Sequence, residues 1–230
     1  MVKKRVSRSR KRQLEEPDEF ITFGTRLLET AANHKEKLLI ALGVICIIIV
    51  GFLGMGYYSD QNENKASDLL GQNVAKYEMI KNQNGPDNAY LSVKKDFQLI
   101  LEKYSGKDAG KLARIIFANI CYNGGDYDKA IRLYHTSLEI FNENIFIKNQ
   151  ILSSLGHTHE KMKDYKNAAK YFEMIVSGPD IVMKDEALFH LGKLYAEMGK
   201  TDLSINAFKK ILSDYTDSIY IEMVREKVAG

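Results

Sequence analysis

The sequence predicts an all-α protein in which a single transmembrane helix is followed by an α-solenoid of stacked helix pairs. Three observations predict this class. Residues 38–58 are a run of 21 positions without a charged side chain. After residue 59, apolar residues recur every three or four positions, and the alternation typical of strands does not occur. Four similar segments begin with an aromatic residue at intervals of 37, 38 and 36 residues, and such a near-constant period indicates stacked helix pairs.

The composition excludes several classes of protein. The chain has 230 residues, of which 45% are hydrophobic and 27% are charged, so it is neither a disordered chain nor a collagen. Its 2 cysteines cannot form a disulfide framework. Cys46 is expected within the membrane span and Cys121 in the soluble part, so the two should not pair. The net charge of the whole chain is only +3, so the protein is not a polycation that binds nucleic acid through its overall charge.

The apolar run 38–58 has the length of a membrane span. A helix of 21 residues is about 31 Å long, which matches a hydrocarbon core of about 30 Å. The run is apolar on all sides, whereas a helix that packs on the core of a soluble protein usually has a polar face. Lys35 and Lys37 precede it, and Tyr57 and Tyr58 end it, as expected at the two interfaces.

The basic N-terminus predicts the orientation of this span. Residues 1–37 contain ten Lys/Arg and six Asp/Glu, and the basic residues cluster within the first twelve positions. Such a cluster resists translocation, so residues 1–37 are predicted to be cytoplasmic and residues 59–230 to lie on the far side. The alternatives are a signal peptide cleaved near Gly54–Gly56, a lipoprotein at Cys46, or a nucleic-acid-binding cluster. The run is longer than a signal-peptide core, and topology explains the basic cluster without a nucleic-acid partner.

The cytoplasmic segment contains a further helix signal. Pro17 and the acidic residues after it suit a helix start. Apolar residues from Phe20 to Ala31 then recur at helical spacing and predict a short amphipathic helix. This helix could lie on the bilayer surface or pack on a partner's cytoplasmic face, and the sequence does not separate these alternatives.

The repeated segments share a pattern of small and large residues. Their aromatic residues are Phe97, Tyr134, Phe172 and Phe208. Small residues recur upstream at Ala118, Gly156 and Gly192, and again at Ala130, Ala168 and Ser204. The small residues allow two antiparallel helices to approach, and the large residues fill the space between successive pairs.

This pattern resembles the tetratricopeptide repeat family, whose signature is Leu-Gly-x-x-Tyr on the first helix and Ala-x-x-x-Phe/Tyr on the second. The resemblance implies a repeat domain over residues 59–230. Within it we expect a degenerate capping unit at 66–104, three repeats at 110–142, 148–180 and 184–216, and a capping helix at 217–229.

The complete layout resembles the bacterial family of ancillary SecYEG translocon subunits. That resemblance implies a single-pass protein of the bacterial inner membrane with a periplasmic repeat domain. The implied partners are translocon subunits, periplasmic chaperones or unfolded chains, and the implied role is the hand-over of secreted chains. The alternative is a scaffold for cell-envelope or outer-membrane assembly that acts through homo-oligomers.

No catalytic constellation is apparent, so we expect no enzyme activity, no cofactor and no metal. The glycines lack the spacing of a phosphate-binding loop. His157 and His159 are two residues apart on a predicted helix, so their side chains point about 200° apart and cannot bind one ion together. His34, His135 and His190 are interpreted as isolated.

The resemblance to tetratricopeptide repeats also implies that the first helices line a concave, partner-binding groove. The alternative is that these positions are ordinary solvated surface. The carboxylate clamp of some family members is not expected, because only Asn119 matches it. The implied groove residues are Asn119, Tyr122, Asn123, Gln150, Ser153, His157, Glu160, Lys161, Glu186, Phe189, Lys193 and Glu197.

Overall fold

The computed structural model describes residues 35–229, without the side chains of 35–42, 52, 53, 55, 56 and 229. These residues form nine helices and no strand, which confirms the all-α prediction for this part of the chain. The predicted amphipathic helix at residues 20–31 lies outside the described residues. The helices are α1 (Lys35–Asn84), α2 (Pro86–Tyr104), α3 (Asp108–Asn123), α4 (Tyr127–Ile140), α5 (Ile145–Lys161), α6 (Tyr165–Ser177), α7 (Lys184–Glu197), α8 (Thr201–Asp214) and α9 (Ile221–Ala229).

The chain divides into two compact units, Met1–Asp60 and Gln61–Gly230. The described part of the first unit is helical, and its run 38–58 belongs to α1. No helix within the described residues is both long and apolar enough to cross a membrane.

The second unit contains three antiparallel helix pairs, α3–α4, α5–α6 and α7–α8. Each helix packs on its partner, and the second helix of one pair packs on the first helix of the next. The apolar core accordingly forms two clusters that meet at α5, where Ile151 and Leu155 belong to the first cluster and Leu152 to the second. This is the arrangement of a solenoid, in which every pair buries its apolar face against its neighbours.

Glycine on the first helix of two pairs allows close contact with an aromatic ring on the second helix. A Cβ atom added at Gly156 would lie 2.6 Å from the ring of Phe172, and one at Gly192 would lie 2.3 Å from the ring of Phe208. Ser204 adds a hydrogen bond across the second of these contacts, because its hydroxyl donates to the Gly192 carbonyl at 2.7 Å. The predicted pairing of small and large residues therefore accounts for how the helices pack.

The turns within the three pairs share a left-handed residue. Gly125 and Gly199 have φ values of 74° and 70°, and Lys163 holds the equivalent place with φ 60°. The next residue caps the following helix in two of the pairs: Asp126 and Asp164 each accept a hydrogen bond from the backbone N–H three residues later. Left-handed backbone favours glycine, so Lys163 is the strained member of this set.

We expect Lys163→Gly to raise the free energy of unfolding by about 0.5–1 kcal/mol, because relief of the left-handed strain exceeds the extra entropy of the unfolded chain. The measurement is thermal unfolding of the detergent-purified full-length protein. Lys170→Gly, on the exposed face of α6, is the control, and it should lower stability by about 1 kcal/mol. Equal destabilisation by both variants would contradict the assignment of strain to Lys163.

The N-terminal end of the solenoid is closed by the last part of α1 together with α2. The rings of Phe97 and Phe117 stack 5.1 Å apart and connect α2 to α3. Glu63 on α1 accepts hydrogen bonds from the backbone N–H groups of Asp108 and Ala109, at 3.0 and 2.7 Å. The Glu63 carboxylate thereby satisfies the start of α3, for which the N-cap side chain supplies no hydrogen bond.

Helix α9 closes the C-terminal end. Val224 is completely buried against the second core cluster. Just before α9, the hydroxyl of Ser218 donates to the carboxylate of Asp185 at 2.7 Å, and the ring of Tyr220 stacks on that of Phe189 at 4.4 Å. These contacts cover the apolar surface that the last helix pair would otherwise expose.

Candidate functional site: the open face of the first helices

A cavity of about 400 Å³ lies between α3 and α5, beside the turn that joins α4 to α5. We call it the α3–α5 groove. Apolar side chains predominate in its lining, together with a few polar side chains. It is lined by Asp108, Lys111, Leu112, Ile115, Asn119, Phe141, Phe146, Ile147, Gln150, Ile151 and Ser154.

Five of the predicted groove residues lie on this face of α3 and α5. Asn119 and Gln150 line the α3–α5 groove itself. Asn119 also lines an adjoining cavity of about 330 Å³ with Tyr122, Asn123 and His157. The hydroxyl of Tyr134 donates to the Asn119 side-chain oxygen and fixes the amide where the two cavities meet. The structure thus brings together residues from two successive first helices.

The apolar part of the groove was missed by the sequence analysis. Leu112 and Phe146 expose 49% and 60% of their surface, although both are large hydrophobic residues. Ile115, Phe141 and Ile147 complete the apolar wall. Leu112 and Ile115 are three residues apart on α3, so an exposed apolar stripe on that helix was the available signal.

Ser153 is the buried member of the predicted set. It is buried, with 5% exposure, and its hydroxyl donates to the carboxylate of Glu186 at 3.4 Å. This contact places Ser153 between α5 and α7 rather than in the open groove. Ser153 and Glu186 therefore connect neighbouring repeats.

The other predicted residues on α5 and α7 are distributed differently. Phe189 is partly buried, and one face of its ring packs on Tyr220. Lys161 and Glu197 are exposed at the last positions of α5 and α7. Glu160 and Lys193 form an ion pair with an N–O distance of 3.9 Å.

Next to this ion pair lies a histidine cluster that the sequence analysis did not predict. The rings of His157 and His190 are perpendicular, with centroids 4.4 Å apart. His157 Nδ1 lies 3.4 Å from Glu160 Oε2. The interpretation of His190 as isolated was wrong, because α7 packs beside α5 and brings the two rings together. The available signal was His-x-x-Glu at 157–160, followed by a histidine about one repeat later.

The charge state of this cluster follows from its surroundings. Burial, with a smaller contribution from the neighbouring His157, lowers the pKa of His190 to about 4. The hydrogen bond from His157 is the main reason that the pKa of Glu160 lies below its usual value, and Lys193 acts in the same direction against the effect of burial. At neutral pH the cluster therefore combines a neutral imidazole at His190 with an ionised carboxylate at Glu160.

Cys121 is packed inside the first core cluster rather than placed at the open face. Burial raises the pKa of its thiol to about 12. The thiol therefore stays protonated at neutral pH and acts as a small apolar side chain in the contact between helices.

The fold and this open face define a helical-repeat solenoid suited to binding other proteins. Two of its segments, residues 150–176 and 186–218, match models of the tetratricopeptide repeat, so these segments are tetratricopeptide repeats as predicted. Tetratricopeptide repeats act as protein–protein interaction modules, and this is the class of function that the matches support. The resemblance to translocon subunits is not confirmed by them and stays a prediction.

The chain is also similar to a curated protein and to solved structures, one of which is described below. A TPR repeat-containing protein of Methanocaldococcus jannaschii is 27% identical over 143 residues, which cover 61% of this chain and 22% of the relative. This chain therefore spans about a fifth of that protein's length. The crystal structure of a tetratricopeptide repeat protein from Parabacteroides merdae has a TM-score of 0.53 at 16% identity, covering 69% of this chain and 58% of that chain. This second likeness shows the shared fold.

Proposed function

We propose that this protein is a membrane-tethered interaction module of the bacterial inner membrane, ancillary to the SecYEG translocon. The observation that carries the binding part of the proposal is the α3–α5 groove. Its exposed apolar wall and its volume of about 400 Å³ suit the apolar side chains of another protein chain. A newly secreted, still unfolded chain presents such side chains.

The tether is proposed from the run 38–58, which has no charged residue. Within this run Ile47, Ile48 and Val50 expose 73%, 63% and 69% of their surface. Exposed apolar area costs about 25 cal/mol per Å² in water, and a lipid environment would remove that cost. The basic N-terminus supports an orientation with residues 1–37 in the cytoplasm and the repeat domain in the periplasm.

Tethering would confine the groove to the membrane surface and raise the local concentration of its ligands. Weak binding is then sufficient, which suits a protein that must release each chain again. The proposed role is accordingly to receive chains at the channel and to pass them to periplasmic chaperones.

The test is photo-crosslinking in cells with the full-length protein. A crosslinking amino acid at Leu112, on the groove wall, is compared with one at Leu99, a leucine on α2 with similar exposure, 43% against 49%. Crosslinks to translocon subunits or to secreted chains are expected from Leu112, in large excess over Leu99. Deleting residues 1–58 should abolish the translocon crosslinks.

Equal crosslinking from both positions would contradict the groove as the binding surface. Translocon crosslinks that persist without residues 1–58 would contradict the tether. Crosslinks between copies of this chain, or to cell-wall enzymes, would instead support the alternative of an envelope-assembly scaffold.

A further inference from the structure

We propose that His157, Glu160 and His190 bind one divalent transition-metal ion of the Zn²⁺ class, which links α5 to α7. The inference does not depend on the proposed function. Two imidazoles and one carboxylate are a donor set that Zn²⁺ uses with three protein ligands, and water then takes the fourth position. The ligands come from two adjacent helix pairs, so the ion bridges neighbouring repeats.

The backbone places these three donors on one surface. His157 and Glu160 are three residues apart on α5, a spacing that puts their side chains on the same face of a helix. His190 lies on α7, which follows α5 as the next first helix of the solenoid. One ligand atom from each residue lies within 4.8 Å of the other two.

These separations are close to those of a metal site. Zinc bonds of about 2.0–2.1 Å in a tetrahedron place neighbouring donors about 3.3 Å apart. His157 Nδ1 and Glu160 Oε2 are already separated by 3.4 Å. The remaining closure of at most about 1.5 Å is within the reach of side-chain torsions.

Aromatic packing holds the two imidazoles in place. The ring of Phe172 stacks on His190 with centroids 5.0 Å apart and meets His157 edge-on at 5.2 Å. A ligand set whose rings are fixed beforehand loses less entropy when it binds an ion. Phe172 also shields one side of the site from water.

The hydrogen bonding of His190 is an independent observation that points to a ligand. Its Nδ1 atom is buried. Among the described residues, it is the buried side-chain nitrogen or oxygen atom that has no hydrogen-bond partner. A buried polar atom without a partner costs about 1–3 kcal/mol.

Lys193 is the competing cation at this site. Its ammonium group lies 3.9 Å from Glu160 Oε1, but its side chain is 47% exposed and can turn towards solvent. An arriving ion therefore has to replace one ion pair. This competition gives the proposal a distinctive consequence, because removing the lysine charge should strengthen metal binding.

The experiment uses the full-length protein, purified in detergent without a histidine tag and stripped with a chelator. Calorimetric titration with Zn²⁺ should show one ion bound per chain. Glu160→Gln keeps the side-chain shape, and it should weaken binding at least about tenfold, as should His190→Ala. Lys193→Gln should tighten binding. His135→Ala, which removes a histidine on α4 outside the cluster, should leave the affinity unchanged.

A second measurement separates metal binding from damage to the fold. Zn²⁺ should raise the thermal unfolding temperature of the wild type and of His135→Ala, but not that of Glu160→Gln. Absence of zinc binding by the wild type would overturn the proposal. It would also be overturned if Glu160→Gln, with unchanged helicity, bound zinc as tightly as His135→Ala.

Discussion

Replacing Phe172 by alanine should lower the free energy of unfolding by about 3–5 kcal/mol. Phe172 is completely buried in the middle helix pair. Its ring fills the space over Gly156, where no side chain can expand to replace it. Phe172 also contacts His157 and His190, so the cavity left by truncation would loosen the contact between two successive pairs.

Chemical unfolding of the full-length protein in detergent, followed by far-ultraviolet circular dichroism, measures this loss. Met174→Ala is the matched control, because Met174 lies on the same helix but is 40% exposed. It should change stability by no more than about 0.5 kcal/mol. A similar small loss in Phe172→Ala would show that the ring does not hold the central pair together.

Gly192→Ala should destabilise the protein by about 1–3 kcal/mol, although alanine is normally the better helix residue. The added methyl group would lie 2.3 Å from the ring of Phe208, which is 3% exposed and has little room to move. The steric conflict therefore outweighs a gain in helix propensity of about 1 kcal/mol.

The control for this prediction is a substitution that is expected to change stability in the opposite direction. Gly71 lies in the middle of α1, and a Cβ atom there would have no neighbour within 4 Å. Gly71→Ala should therefore raise stability by up to about 1 kcal/mol. Thermal unfolding of both variants checks the pair, and Phe208→Leu should rescue part of the loss in Gly192→Ala. Stabilisation by Gly192→Ala would refute the close packing of α7 on α8.

The periodic part of the fold could be predicted because the repeated residues themselves make the contacts. Gly156 and Gly192 recur at the positions against which Phe172 and Phe208 pack. The repeat of these residues in the sequence therefore predicts which helices pair. The all-α class follows from the same spacing of apolar residues. The turns inside the pairs are marked in part, by Gly125 and Gly199 at the left-handed position and by Asp126 and Asp164 at the following N-cap.

The site was less predictable because it depends on how successive pairs rotate against each other. The resemblance implied that Ser153 lines the groove, yet Ser153 is buried and bonded to Glu186 on α7. The packing between successive pairs also brings His190 to His157, a contact between residues 33 positions apart that no local pattern fixes. The apolar wall at Leu112 and Phe146 also comes from two different helix pairs.

Because the core is divided into two clusters that meet at α5, we expect this solenoid to open stepwise from its C-terminal end. Opening α9 and then the α7–α8 pair removes contacts from the second cluster, while Phe97, Phe117 and Tyr134 in the first remain covered. Amide protons near the C-terminus should therefore exchange with solvent before those of α3 and α4, and mechanical pulling from that end would open the stack one hairpin at a time.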